Sequence, residues 1–178
     1  MTKGSFYNAL AIIILCFLIL TDCAPQKTTF PHLYTDPQFG FRVACPDSGW
    51  TLTDRTGIPE VLVVIKSETS VEDFIPNVTV AVEPLESMMT AEEYGEKNLE
   101  SLTAQGYEVL AREEKVIHQN TFYDLRCLHR QVEPPLQFRH LCLVKKRMGF
   151  IITCTAPENY YHTCEDDFKF IVDSFRFI

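Results

Sequence analysis

The sequence contains few glycines and none of the short motifs that mark common enzyme classes. Its seven glycines occur singly along 178 residues, so no glycine-rich loop that would cradle a phosphate follows a predicted strand. The G-x-S-x-G pattern of serine hydrolases is absent, and no two cysteines have the C-x2-C spacing of zinc sites. We therefore predict no catalytic residue and expect a protein that is not an enzyme.

Positive charge is also scarce. The chain has 16 lysines and arginines against 24 acidic residues, which gives a net charge of −8. The only basic run, at residues 145–147, falls at a predicted hairpin turn. Without a basic stripe the sequence excludes nucleic acid as a partner and excludes adhesion to anionic lipid headgroups.

Apolar runs long enough to cross a membrane are missing. The longest, residues 9–20, has 12 residues, whereas a helix that spans a bilayer needs about 20. This run follows Lys3 and ends just before Cys23. A charged start, a short apolar segment and a cysteine are typical of a bacterial lipoprotein export signal.

Cys23 resembles the lipid-modified cysteine of bacterial lipoproteins. Leu20 occupies the expected aliphatic position, while Asp22 departs from the small residue that usually precedes the cysteine. We therefore predict a lipid anchor (palmitate and diacylglycerol) at Cys23, with an ordinary cleaved signal and an uncleaved anchor as the alternatives. Residues 1–22 would be the signal, 23–37 a flexible tether and 38–178 a single domain on the periplasmic or outer side of a bacterial envelope.

Periodicity in the remaining chain predicts an α+β fold. Strands are predicted at residues 39–45, 61–65, 77–82, 108–117, 122–132, 137–146 and 149–155. A capping box at Thr90 predicts a helix that ends near Gly106. A second helix is predicted to begin at Pro157 and to bury a stripe that includes Phe168 and Ile171. An antiparallel sheet flanked by helices is the natural solution for this order.

Several of these landmarks together resemble the PsbP/Mog1-like domain family. The segment F-G-F at residues 39–41, the C-P pair at 45–46 and Trp50 resemble that family's opening element. N-V-T-V at residues 77–80 resembles its second hairpin strand, and residues 150–156 resemble its last strand. The resemblance covers residues 34–178.

The family resemblance implies a scaffold more than a single activity. The family includes a subunit of photosystem II, a protein that binds a GTPase, and bacterial envelope lipoproteins. Members act as binding or assembly modules. The resemblance therefore implies a non-catalytic envelope lipoprotein with a protein partner and no cofactor.

Cysteine and histidine are arranged symmetrically on two neighbouring predicted strands. If Val132 faces Gln137 across a four-residue loop, Cys127 lies opposite Cys142 and His129 lies opposite His140, all on one face. A following turn centred on Met148 would add Cys154 to the same row.

Three interpretations of this face remain open. An oxidising envelope favours a disulfide, either Cys127–Cys142 or Cys142–Cys154. Reduced cysteines packed in the core are the second interpretation. A site for zinc or copper made by Cys127, His129, His140 and Cys142 is the third. It would make the chain a metal-binding or redox-linked lipoprotein, which is the alternative to a binding or assembly module.

Overall fold

The computed structural model describes residues 32–54 and 56–178. Strands β1 to β10 are, in chain order, Leu33–Asp36, Phe41–Ala44, Trp50–Thr53, Val61–Ser67, Asn77–Pro84, Glu108–Ile117, Asn120–His129, Leu136–Lys145, Met148–Pro157 and Arg176–Phe177. The helices are α1, Ala91–Ala104, and α2, Glu165–Ser174, and a 3-10 turn at Tyr161–Cys164 precedes α2.

The strands form two antiparallel sheets. The larger sheet has seven strands in the order β3-β4-β5-β9-β8-β7-β6, and the smaller has three in the order β1-β2-β10. Because β9 lies between β5 and β8, its residues are almost all buried, which explains its nearly continuous apolar sequence. The α+β class with an antiparallel sheet and few helices is confirmed.

The two faces of the large sheet carry separate cores, since side chains alternate along a strand. Helix α1 packs on β6, β7 and β8, and its Leu99 and Leu102 join Leu125 and Phe138 in one apolar cluster. We call this side the α1 face. Helix α2 and the small sheet cover the opposite side, the α2 face, where the larger apolar cluster lies.

The first helix begins where the sequence predicts it. The Thr90 hydroxyl accepts a hydrogen bond from the Glu93 backbone N–H at 3.1 Å, and the Glu93 carboxylate accepts one from the Thr90 N–H at 2.8 Å. These bonds satisfy two amides that have no partner within the helix. The helix ends before Gly106, whose φ of +84° is in the region that glycine adopts without strain.

The second helix begins later than predicted. Pro157 is the last residue of β9 and lies opposite Leu136 of β8, so the prediction that it opens a helix is wrong. Pairing with β8 along the whole of β9 keeps the chain extended to this point, and the helix begins only at Glu165. The predicted stripe is confirmed, because Phe168, Ile171 and Val172 are buried.

The amino-terminal predictions meet the structure only in part. Residues 33–36, which belong to the predicted tether, form β1 and pair with β2. The predicted signal at residues 1–22 and Cys23 lie outside the described residues. Within the two described ranges, no helix has the length and apolar character needed to span a membrane.

Candidate functional site

An open cleft of about 650 Å³ lies on the α2 face beside the helix. Apolar side chains cover this face under α2, but the neighbouring part, on β6, β7 and β8, carries charged side chains. We call it the arginine cleft, because Arg126 of β7 and Arg139 of β8 line it. Its volume falls within the range of small-molecule and side-chain binding sites.

A buried ion pair fixes one of the two arginines. Arg139 Nε lies 3.0 Å from both carboxylate oxygens of Asp124, and Nη2 lies 2.6 Å from Oδ2. The Asp124 side chain is fully buried and that of Arg139 is 13% exposed. Burial lowers the pKa of Arg139, but the hydrogen bonds and the charge of Asp124 raise it by more. Arg139 is therefore a charged group with a fixed orientation.

The second arginine lies directly opposite the first. Arg126 pairs with Arg139 in the register of β7 and β8, and on its other side it lies opposite Ala111 of β6. Arg126 makes no ion pair with any residue of the described ranges. Two like charges opposed across neighbouring strands repel each other. Because Asp124 neutralises only one of them, this part of an acidic chain is locally positive.

A tyrosine from the 3-10 turn completes this wall of the cleft. Tyr161 packs its ring against Phe168 at a centroid distance of 5.3 Å. Burial raises the pKa of Tyr161, an effect that the neighbouring Arg139 and Arg126 partly oppose. The phenol therefore keeps its proton near neutral pH and can donate a hydrogen bond.

The rim of the cleft carries both signs of charge. Lys169 and Asp173 form an ion pair on α2, and the backbone carbonyl of Asp173 also lies 2.7 Å from Nε2 of His118. Glu165 and Asp166 belong to the first turn of α2, where negative charge is favourable to the helix dipole. Both line the cleft, so it offers cations and anions to a ligand from different elements.

The predicted site on the cysteine and histidine face rests on a register that the structure overturns. Cys127 lies opposite Phe138, and His129 lies opposite Leu136. Pairing of β7 with β8 stops at His129, so the connection is two residues longer than the predicted four-residue loop. The face is as predicted, but the partners along it are displaced by four residues. Cys127 and Cys142 are therefore not opposed, and neither are His129 and His140.

Cys154 lies on the other side of the sheet. The turn between β8 and β9 has two residues, Lys146 and Arg147, and brings Arg139 opposite Cys154. Cys154 therefore lies on the α2 face, within the larger core cluster, and not in the row of Cys142. The prediction that it joins that row is wrong.

The cysteines of the described part are free thiols. All five are buried and unbonded, and burial raises the pKa of Cys127 to about 11 and that of Cys154 to about 12. Within residues 32–54 and 56–178, no group of three or more potential metal ligands comes together. The predicted disulfides and the predicted zinc or copper site thus lose the geometry that suggested them.

The two histidines instead have separate surroundings on the α1 face. His129 stacks on Tyr107 at a centroid distance of 4.4 Å. Nδ1 of His140 lies 3.0 Å from the hydroxyl of Thr153, while Nε2 has no partner in the described part of the chain. Burial lowers the pKa of His140 to about 4. Both rings are therefore parts of the core.

Sequence reasoning missed the residues of the arginine cleft. The available signal is that Asp124 and Arg126 alternate with apolar residues between Phe122 and Leu128. Arg139 is a further charged residue within the next strand. A buried charge needs a partner, so this pattern predicts an ion pair between the two strands. Choosing the partner requires the register, which the sequence did not reveal.

Solved structures of similar fold exist, while no family model and no curated protein matches the chain. Cyanobacterial PsbP (CyanoP) from Synechocystis has 19% identity and a TM-score of 0.59, and the match covers 89% of this chain and 99% of that one. A Pseudomonas aeruginosa protein of unknown function, PA94, described as a putative regulator, has 16% identity and a TM-score of 0.56, with coverages of 80% and 93%. A Bacteroides thetaiotaomicron protein has 8% identity and a TM-score of 0.54, with coverages of 83% and 48%. These likenesses show a PsbP-like fold.

Proposed function

We propose that the chain is a non-catalytic binding or assembly module of a bacterial envelope. Its lipid anchor would be Cys23, and its domain would meet a protein partner on the periplasmic or outer side of the membrane. The pattern of residues 1–23 supports the anchor, and the resemblance of the sequence motifs to a family of binding and assembly modules supports the role by analogy.

The arginine cleft is the observation that carries the proposal. It holds charged donors that the fold does not use, since Arg126 and Lys115 make no ion pair within the described ranges. Unpaired cations in a concave site of an acidic chain attract an acidic group from another molecule. We infer that a partner places such a group in the cleft.

The side chains at the arginine floor of the cleft favour binding over catalysis. A guanidinium keeps its protons in proteins and cannot serve as a general base. The Asp124 carboxylate is occupied by Arg139, and the Tyr161 phenol keeps its proton. The alternative of a metal-binding or redox-linked lipoprotein has no support from the described residues, because the register that suggested it is wrong.

Site-directed photo-crosslinking in the native envelope tests this function. A photoreactive phenylalanine analogue replaces Lys115, which lines the cleft, and in a control it replaces Lys97, an exposed residue of α1. We expect one discrete covalent adduct from position 115 and none from position 97. The adduct should weaken when Arg126→Gln is added. No adduct from position 115, or equal adducts from both positions, would contradict the proposal.

A further inference from the structure

The floor of the arginine cleft has an unbalanced positive charge. Arg126 and Arg139 are directly opposed on β7 and β8, and within the described ranges Asp124 forms an ion pair with Arg139 alone. Lys115, exposed on the adjacent strand β6, adds a further cation to the lining. Opposed like charges destabilise a sheet unless a counter-charge lies between or above them. At the floor, Asp124 pairs with one of these three cations, and Glu113 of β6 lies opposite Asp124 as a second carboxylate; Glu165 and Asp166 belong to the α2 wall.

Hydrogen-bond donors at this floor are also left over. Arg139 uses Nε and Nη2 on Asp124, so its Nη1 and the whole fork of Arg126 have no partner in the described ranges. The Tyr161 hydroxyl likewise makes no hydrogen bond there. A guanidinium fork matches the two oxygens of a carboxylate or a phosphate better than it matches water or an uncharged group.

We propose that Arg126, Arg139 and Tyr161 form an oxyanion site, which takes a single carboxylate or phosphate group presented by a ligand in the cleft. This inference rests on the proposed function and names the chemistry of its recognition. Arg139 is oriented in advance by Asp124, so little conformational entropy is lost when the anion binds. Arg126 lies opposite the small side chain of Ala111, so no bulky side chain faces it from β6.

The acidic wall limits which anions fit. Glu165 and Asp166 line the same cleft, and both are exposed residues of α2. A polyanion such as a nucleic acid would bring further negative charge against them, which costs free energy. The site therefore selects one isolated anionic group.

Titration of the purified full-length protein, followed by NMR of the arginine side chains, tests the inference. The probes are inorganic phosphate and acetyl-diglycine, each compared with sodium chloride at equal ionic strength, and the amide of the same dipeptide is the uncharged control. We expect saturable shifts of the Arg126 and Arg139 Nε–H signals, with a Kd on the order of 1 mM for the better anion. Saturation by phosphate alone or by the carboxylate alone identifies the source of the oxyanion.

A matched pair of variants separates the site from general charge effects. Arg126→Gln should weaken binding at least about tenfold, because it removes a charged, bidentate donor. Arg112→Gln changes the net charge equally but lies on the α1 face, where Arg112 bonds Glu96, and it should leave the Kd unchanged. Shifts that follow ionic strength alone, or equal binding by both variants, would overturn the inference.

The two proposals fail separately. A crosslinked partner at position 115 without saturable anion binding would refute the oxyanion site and leave the binding module standing. Saturable anion binding without any crosslinked partner would support the oxyanion site and refute the binding module.

Discussion

Replacement of Asp124 by asparagine should lower the free energy of unfolding by about 2–4 kcal/mol. Removal of one partner from a buried ion pair costs about 3–5 kcal/mol, because the other charge stays behind without compensation. The lower end applies here, since Arg139 keeps 13% of its side chain exposed and asparagine still accepts one hydrogen bond. The nearby charge of Arg126 makes the loss of stability larger, because without the Asp124 charge Arg126 faces an Arg139 that is no longer neutralised.

A double-mutant cycle tests whether this loss belongs to the pair. Arg139→Met leaves the fully buried Asp124 carboxylate unpaired and should cost at least as much as Asp124→Asn. The double replacement Asp124→Leu with Arg139→Met removes both charges, and its free energy of unfolding should lie within about 1 kcal/mol of the wild type. The single replacement Asp124→Leu completes the cycle and should cost at least as much as Asp124→Asn. The three losses are therefore strongly non-additive.

Urea denaturation provides the measurement. The chain has one tryptophan, Trp50, whose buried ring donates a hydrogen bond to Asp167 of α2 at 2.8 Å, so its fluorescence reports loss of the α2 face. Midpoints and slopes give the free energy of unfolding by linear extrapolation. Single losses below about 1 kcal/mol, or a double loss equal to their sum, would refute the view that a coupled buried pair holds Arg139 in place.

Three further changes test other parts of the structure. Burial lowers the pKa of His140 from 6.5 to about 4, so between these pH values the unfolded chain takes up a proton that the native state does not. The free energy of unfolding should therefore fall by up to about 3 kcal/mol from pH 6.5 to pH 4. Urea unfolding at both pH values should show a smaller fall for His140→Gln, and an equal fall would contradict this. Cys23→Ala should move the protein out of the membrane fraction or stall its processing, as fractionation and immunoblotting would show; normal cleavage with full membrane retention would contradict the lipid anchor. Phe168→Ala should cost about 3–5 kcal/mol in urea unfolding, whereas Phe170→Ala on the same helix should cost under about 1 kcal/mol, since these side chains are 1% and 50% exposed; equal losses would contradict the assigned face of α2.

Elements with strong local signals could be predicted from the sequence. The capping box of Thr90 and the stripe that includes Phe168 depend on residues a few positions apart, and the structure confirms both. The sequence predicts neither β1 nor β10, because neither belongs to a longer alternating run such as the predicted strand at residues 39–45, which contains β2. They pair only with β2, so their conformation depends on distant contacts.

The errors in register have physical causes that no local pattern reveals. The turn of Lys146 and Arg147 has φ values of +52° and +61°, a conformation normally signalled by Asn-Gly. With neither residue present, the sequence predicts a longer turn, which places Cys154 on the wrong face. Between β7 and β8, Val132 packs against the apolar cluster under α1 instead of continuing the strand.

The position of the arginine cleft follows from the size of α2. A helix of ten residues is about 15 Å long, and strands lie about 4.8 Å apart, so α2 spans about three of the seven strands at most. The small sheet covers a further part of the same face. The strands that remain uncovered must carry polar side chains, and water can satisfy the hydrogen-bonding groups of any polar side chain there. Exposure to water does not explain why two arginines are opposed here, one of them fixed by a fully buried carboxylate. Glutamine or threonine would be soluble at position 126 without repulsion, so the guanidinium of Arg126, opposite the paired Arg139, is better explained by an anion that binds it than by the needs of the fold.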